Sequence, residues 1–179
     1  AGREMEFVAG GETRQESTAA GLARAGEFPL VLVHDGARPM CGADLVGRVL
    51  AAAELHGAAV PLIPLRGTLK RLGPDGHVAG TLDRSGFALS QTPQGFHRQI
   101  LEEALRRARA DGYVGTDESE LVERAGYPVA QVEGEAGNLK VTRPEDFAMA
   151  ERMLASRFGS APHHRVGIGF DIHALVPGR

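Results

Sequence analysis

Four residues, Leu30-Val31-Leu32-Val33, constrain this chain more than any others: they are apolar without alternation, and the polar stretch "HDGAR" follows at once. A strand with one solvated face alternates apolar and polar side chains, whereas a continuous apolar run belongs to a strand covered on both faces. Such a strand needs helices above and below it, and the rest of the chain supplies them. "TRQESTAAGLARAG" (13–26) carries Ala and Leu on one side and ends on glycine, and "ADLVGRVLAAAELHG" (43–57) repeats apolar residues at helical spacing. "AAVPLIPL" (58–65) is a further strand, whose Pro61 and Pro64 imply that it lies at a sheet edge or leaves the sheet, because proline lacks the N–H a ladder uses. "FALSQTP", "YPVAQVEG" and "NLKVT" read as strands, and "RQILEEALRRARADG" as a long amphipathic helix with a solvated arginine face. Asp117 with Glu120 has the spacing of a capping box, as does Thr142 with Glu145, where Pro144 opens a last helix running to about Arg157. The expected class is α/β, an open, mostly parallel sheet with helices on both faces.

With 179 residues, 42% of them hydrophobic, the chain can bury one sizeable core. Its 20 basic and 23 acidic side chains leave a net charge of -3, which argues against a nucleic-acid or membrane-surface binder but leaves room for one phosphorylated ligand. No apolar run approaches the ~20 residues of a membrane span. Cys41 is the sole cysteine and forms no internal disulfide, so a cytoplasmic setting is expected. The opening "AGREMEFVAGG" reads as the tail of a strand at 5–8 entering a glycine turn, as if the chain were entered midway.

One insertion breaks the alternation. "GTLKRLGPDGHVAGTLDRSG" (67–86) holds two short segments around Pro74-Asp75-Gly76, a strong hairpin signal, with too few large apolar residues for a core of its own. It is expected to protrude as an arm or to pack on another subunit. "GSAPHH" (159–164) reads as a linker, and behind it "RVGIGFDIHALVPGR" (165–179) places Asp171 and His173 on one face of a strand.

In an open α/β sheet ligands bind beyond the carboxyl ends of the strands. The loops expected there are "AGGETRQES", "HDGARP", "SQTPQGF" and "GNLKVT". Asp35 suits a ribose hydroxyl or a Mg²⁺ on phosphates, Arg38 and Lys140 supply positive charge for a phosphate, and Gly10 and Gly11 allow close backbone approach. Each has a plainer structural reading when taken alone. Their convergence on one sheet edge is what points to a site.

In order and spacing, "GGETRQEST", "VLVHDGARP", "GTLKR", "TLDR", "QTPQGF", "GTDESELVE" and "VEGEAGNLKVTRPEDFAMAE" resemble the 2-C-methyl-D-erythritol 4-phosphate cytidylyltransferase family, from Phe7 to about Leu154. The tail resembles the first strand of 2-C-methyl-D-erythritol 2,4-cyclodiphosphate synthase, which is fused behind the cytidylyltransferase in some bacterial enzymes. The resemblance implies a Rossmann-like nucleotidyltransferase domain at 1–158 with its arm at 67–86, a linker at 159–164, and the start of a synthase domain at 165–179. It also implies cytidylyl transfer from CTP to methylerythritol phosphate with Mg²⁺, in a homodimer joined through the arm. Gly10, Gly11, Arg14, Ser17, Asp35 and Gly36 would then meet the nucleotide, and Arg38, Thr68, Thr92 and Thr116 the substrate. Arg84 and Lys140 would be catalytic, with Thr68 and Arg84 reaching over from the partner. Asp171 and His173 match metal ligands of the synthase, usually for zinc; two donors make a poor zinc site, so tight binding is expected only once downstream residues are present.

The family's glycine-rich triphosphate loop is expected before residue 1, and without it the chain alone is expected to be inactive. Gly36, Gly67 and Gly137 stand where the family often has Ala, Asp and an acidic residue. A ribitol 5-phosphate cytidylyltransferase shares much of the motif set, and a non-catalytic dimerisation or nucleotide-binding module is the reading from another class.

Overall fold

The computed structural model describes residues 5–158. Its elements are α1 (Arg14–Arg24), β1 (Leu30–Val33), α2 (Ala43–His56), β2 (Ala58–Pro64), β3 (Leu69–Leu72), β4 (Val78–Leu82), β5 (Ala88–Ser90), β6 (Gln94–His97), α3 (Arg98–Ala110), α4 (Glu118–Arg124), β7 (Ala130–Glu133) and α5 (Pro144–Phe158). β1, β5, β6, β2 and β7 form one sheet, and β3 pairs with β4 in a second, two-stranded one.

The unbroken apolar run of β1 is used on both faces. Val31 and Val33 pack with Leu22, Phe96, Leu101 and Leu121 on the α1, α3 and α4 side, while Leu30 and Leu32 pack with Leu45, Val49 and Ala53 of α2. Ala58 and Ala59 divide in the same way. The α/β class with helices on both faces therefore holds. β1, β2 and β7 run in one direction, because β1 and β2 are each antiparallel to β6 and β7 is parallel to β2. β5 and β6 run against them, so the sheet is mixed.

Several local expectations are corrected. β2 is central, pairing with β5 and β6 on one side and β7 on the other, despite its prolines. Pro61 is tolerated because the β5–β6 partner is itself interrupted there: only Gln91 N–H reaches the Pro61 carbonyl, at 2.8 Å. "QGFH" is strand β6 rather than loop, and neither 5–8 nor "NLKVT" is a strand. The Asp117 cap takes Glu120 N–H at 2.9 Å, but the Glu120 carboxylate turns back to Thr116 and Tyr113, so only half a capping box forms. At α5 it is Asp146, not Glu145, that closes on Thr142. The full reciprocal box lies instead at α1, between Thr13 and Glu16. Among the described residues no helix is long and apolar enough to cross a membrane.

Candidate active site

Because β1, β2 and β7 share a direction, the segments after β1 ("HDGAR") and after β7 ("GNLK") emerge at one sheet edge. β6 runs the other way, so its start brings "QTP" to that same edge. A cleft of about 620 Å³ opens there, lined among others by Gly10, Arg14, Ser17, Asp35, Gly36 and Lys140.

Asp35 is the centre of its charge. Arg14 Nη2 lies 3.4 Å from Oδ1, while Lys140 Nζ at 3.1 Å and Arg38 Nε at 3.4 Å meet Oδ2. Burial pushes the Asp35 carboxyl up, but Lys140, Arg14 and Arg38 more than offset it and hold the group below its ordinary value. The Arg14 guanidinium is likewise opposed by burial, yet Glu118 and then Asp35 raise its hold on its proton.

The loops are fixed by polar bonds among buried groups. Gln91, 3% exposed, donates to the Glu135 carbonyl at 2.8 Å and accepts from Glu135 N–H at 3.0 Å. Asn138, fully buried, donates to the Thr92 carbonyl at 2.7 Å, and its own carbonyl takes Arg38 Nη1–H at 2.9 Å. Val141 N–H reaches the Ala37 carbonyl at 2.8 Å. Thr92 is 4% exposed and accepts Asp35 N–H at 2.9 Å on its hydroxyl, which also meets His34 Nδ1 at 3.0 Å. Thr92 therefore sits beneath Asp35 and braces its turn. Asn138 Oδ1 is buried without a hydrogen-bond partner among the described residues.

Other expected residues divide by place. Gly11 donates its N–H to Ser17 Oγ at 3.1 Å, and an added Cβ would lie 2.3 Å from Glu16 Cβ, so the close approach here is to the α1 cap. Thr116 is held by Glu120, with its hydroxyl 2.8 Å from Oε2. Thr68 and Arg84 are exposed on the hairpin and absent from the cleft lining; Arg84 is held by the carbonyls of Arg66 and Gly67. Asp171 and His173 lie outside the described residues.

Glu118, Gln91 and Asn138 escaped the reading of single residues. Glu118 carried a usable signal, since an acidic residue three and four positions before Leu121 and Val122 shares their buried helix face. Gln91 and Asn138 carried none, because their partners lie more than 40 residues away.

The family model for 2-C-methyl-D-erythritol 4-phosphate cytidylyltransferase matches residues 1–156. The enzyme of that name from Syntrophus aciditrophicus is 44% identical over 86% of this chain and 66% of its own length. A bifunctional enzyme IspD/IspF from Anaeromyxobacter dehalogenans is 43% identical over 99% of this chain, which spans 45% of it. The crystal structure of the cytidylyltransferase from Thermus thermophilus superposes with a TM-score of 0.76 at 47% identity, over 81% of this chain and 71% of that one. The chain thus spans about two thirds of one curated relative and under half of the other. With a family model over residues 1–156 and a relative 44% identical over 86% of it, the chain belongs to the 2-C-methyl-D-erythritol 4-phosphate cytidylyltransferase family.

Proposed function

We propose that the chain carries the nucleotide cleft of an enzyme that transfers a cytidylyl group from CTP to 2-C-methyl-D-erythritol 4-phosphate and releases pyrophosphate, in non-mevalonate isoprenoid synthesis. The observation that carries this reading is the Asp35 cluster: Arg14 and Lys140 line the cleft and meet Asp35 there, and Arg38 meets the same carboxylate. A guanidinium and an ammonium at a cleft wall are donors that suit a negatively charged phosphate chain.

In the reaction, an oxygen of the methylerythritol phosphate attacks the α-phosphorus of CTP in line. The new P–O bond forms as the bond to the β-phosphate oxygen breaks, and pyrophosphate leaves with that electron pair. The chain's task is to position and to stabilise charge. The walls at Gly10, Ser17 and Gly36 take the nucleoside, Asp35 orients the cations, and Lys140 holds the attacking phosphate. Arg84 and Thr68 would complete the substrate side from the partner's hairpin in a homodimer.

Among the described residues no three His, Cys, Asp or Glu side chains converge as a protein-held metal would require. Mg²⁺ would be held here mainly by the nucleotide's own phosphate oxygens, with Asp35 as the carboxylate of this chain offered to it. When bound it neutralises charge on the triphosphate.

For the tail, the match to the bifunctional relative covers 99% of the chain although the family model stops at residue 156. That added coverage supports 159–164 as a linker and 165–179 as the start of a synthase domain, with Asp171 and His173 as ligands of a divalent metal such as zinc. The test of the whole reading is pyrophosphate release from CTP, measured with methylerythritol phosphate and with ribitol 5-phosphate. It is run with the chain and with the full product of its gene. Release dependent on methylerythritol phosphate supports it; a full product that releases none, or that prefers ribitol 5-phosphate, refutes it.

A further inference from the structure

Glu118 is the first residue of α4, and Leu121 and Val122 share its buried side. Its side chain is only 1% exposed. A carboxylate among apolar side chains is costly unless it is paired and hydrogen-bonded. Glu118 meets that condition: Oε1 takes the Thr18 hydroxyl at 2.7 Å, and Oε2 takes Arg14 Nη1–H. The other fork of the same guanidinium reaches Asp35. A chain of alternating charge therefore runs from the α4 face, through α1, to the end of β1, and on to Lys140 and Arg38.

We infer that Glu118 is a positioning residue for the cleft, holding Arg14 across to Asp35. Three features of the geometry carry this. Arg14 is 36% exposed and its contact with Asp35 is long, so Glu118 is its strong partner. Asp35 is shared with two other cations, so it cannot hold Arg14 alone. The start of α4 also follows Thr116 and Asp117 directly, so this one carboxylate ties the segment expected on the substrate side to the nucleotide wall. The competing role is local: a carboxylate in the first turn also favours its own helix through the helix dipole.

The coupling stands on geometry, and only the choice of ligand rests on the cytidylyl reading. The test uses the full chain with ¹⁵N-labelled arginine. A guanidinium forked between two carboxylates rotates slowly and gives separate Nη signals. Glu118→Gln keeps the shape and the Thr18 contact but removes the charge. The expected result is collapse of the Arg14 signals to an average, with CTP affinity by calorimetry falling at least ~10-fold, as for the loss of a charge-assisted contact. Glu118→Gln combined with Arg14→Gln should bind CTP within about 2-fold of Arg14→Gln alone, since the two act as one unit. Arg14 signals that stay separate in Glu118→Gln, or a double variant clearly weaker than Arg14→Gln, would make Glu118 a support of α4 only and overturn the inference. If Glu118→Gln fails to fold, Glu118→Asp keeps the charge but falls one methylene short, and its Arg14 signals decide the matter in the same way. Should the unsubstituted chain bind no CTP while its Arg14 signals still depend on Glu118, the cytidine reading fails and the coupling stands.

Discussion

The cleft and the hairpin carry the same kinds of residue under opposite physical conditions. At the cleft, Asp35, Arg38, Thr92 and Asn138 are at most 12% exposed and held by partners from distant parts of the chain. On the hairpin, every residue from Thr81 to Gly86 is exposed, and among the described residues Arg84 bonds to backbone at the hairpin's own base. Lys70 pairs across to Thr81 at 2.6 Å, and Gly76, with φ of +79°, closes the turn. One region is organised by the fold of a single chain. The other is internally paired, and among the described residues Arg84 meets no side chain outside it. Leu72, Val78 and Leu82 lie exposed along it.

The two regions should then fail differently. Replacing the hairpin (68–84) by a short glycine bridge should give the largest effect in the full gene product. Turnover should fall ~100-fold or more, as for two lost charge-assisted contacts, with CTP affinity nearly unchanged. Equal losses in both would show that the hairpin belongs to the nucleotide site. Gln91→Ala should act on the other side of the comparison, through stability. It leaves the Glu135 N–H and carbonyl unpaired in a buried place, costing about 1–3 kcal/mol in urea unfolding; a cost near zero would mean that water replaces the amide.

Lys140→Ala and Arg84→Ala should each lower the rate by at least ~10-fold. Only Lys140→Ala should also disturb the titration of Asp35, read by carboxyl NMR shifts. A normal rate in either variant removes that residue from the site.

The smallest effect is on acid stability. Asp35 and Asp117 both have carboxyls held below the ordinary aspartate value: burial raises each, Lys140 and the two arginines offset it at Asp35, and hydrogen bonds from Glu120 N–H, Ser119, Gln94 and Ser90 do so at Asp117. The unfolded chain then binds more protons than the folded one between the two values, so stability is present above the unfolded value and is lost as pH falls through the folded one. Urea midpoints taken below about pH 4, the ordinary aspartate range, should therefore drop less steeply in Asp35→Asn and Asp117→Asn than in the unsubstituted chain.

Much of the scaffold was legible because it rests on local periodicity. The run at β1, the spacing of Leu45, Val49 and Ala53 in α2, and that of Leu101, Leu105 and Ala108 in α3 each name a buried face within one element. The hairpin was legible from its turn residues. The motifs named most of the cleft wall, since "HDGAR" and "GNLK" follow strands that share a direction.

What the sequence by itself determined was therefore the set of elements and the residues that end them. Tertiary structure alone decided the pairing and the polar bracing. Pro61 reads as an edge residue until the interrupted β5–β6 partner is known to lie beside it. "NLKVT" reads as a strand until Asn138 and Val141 are seen to bond to the loops after β1 and before β6. Thr92 gives no sign in the sequence of the hydrogen bond its hydroxyl accepts from Asp35 N–H. The physical reason is the same in each case. Periodicity is a property of neighbours along the chain, whereas a buried hydrogen bond or ion pair is satisfied by whichever group the fold brings within about 3 Å, at any separation in sequence.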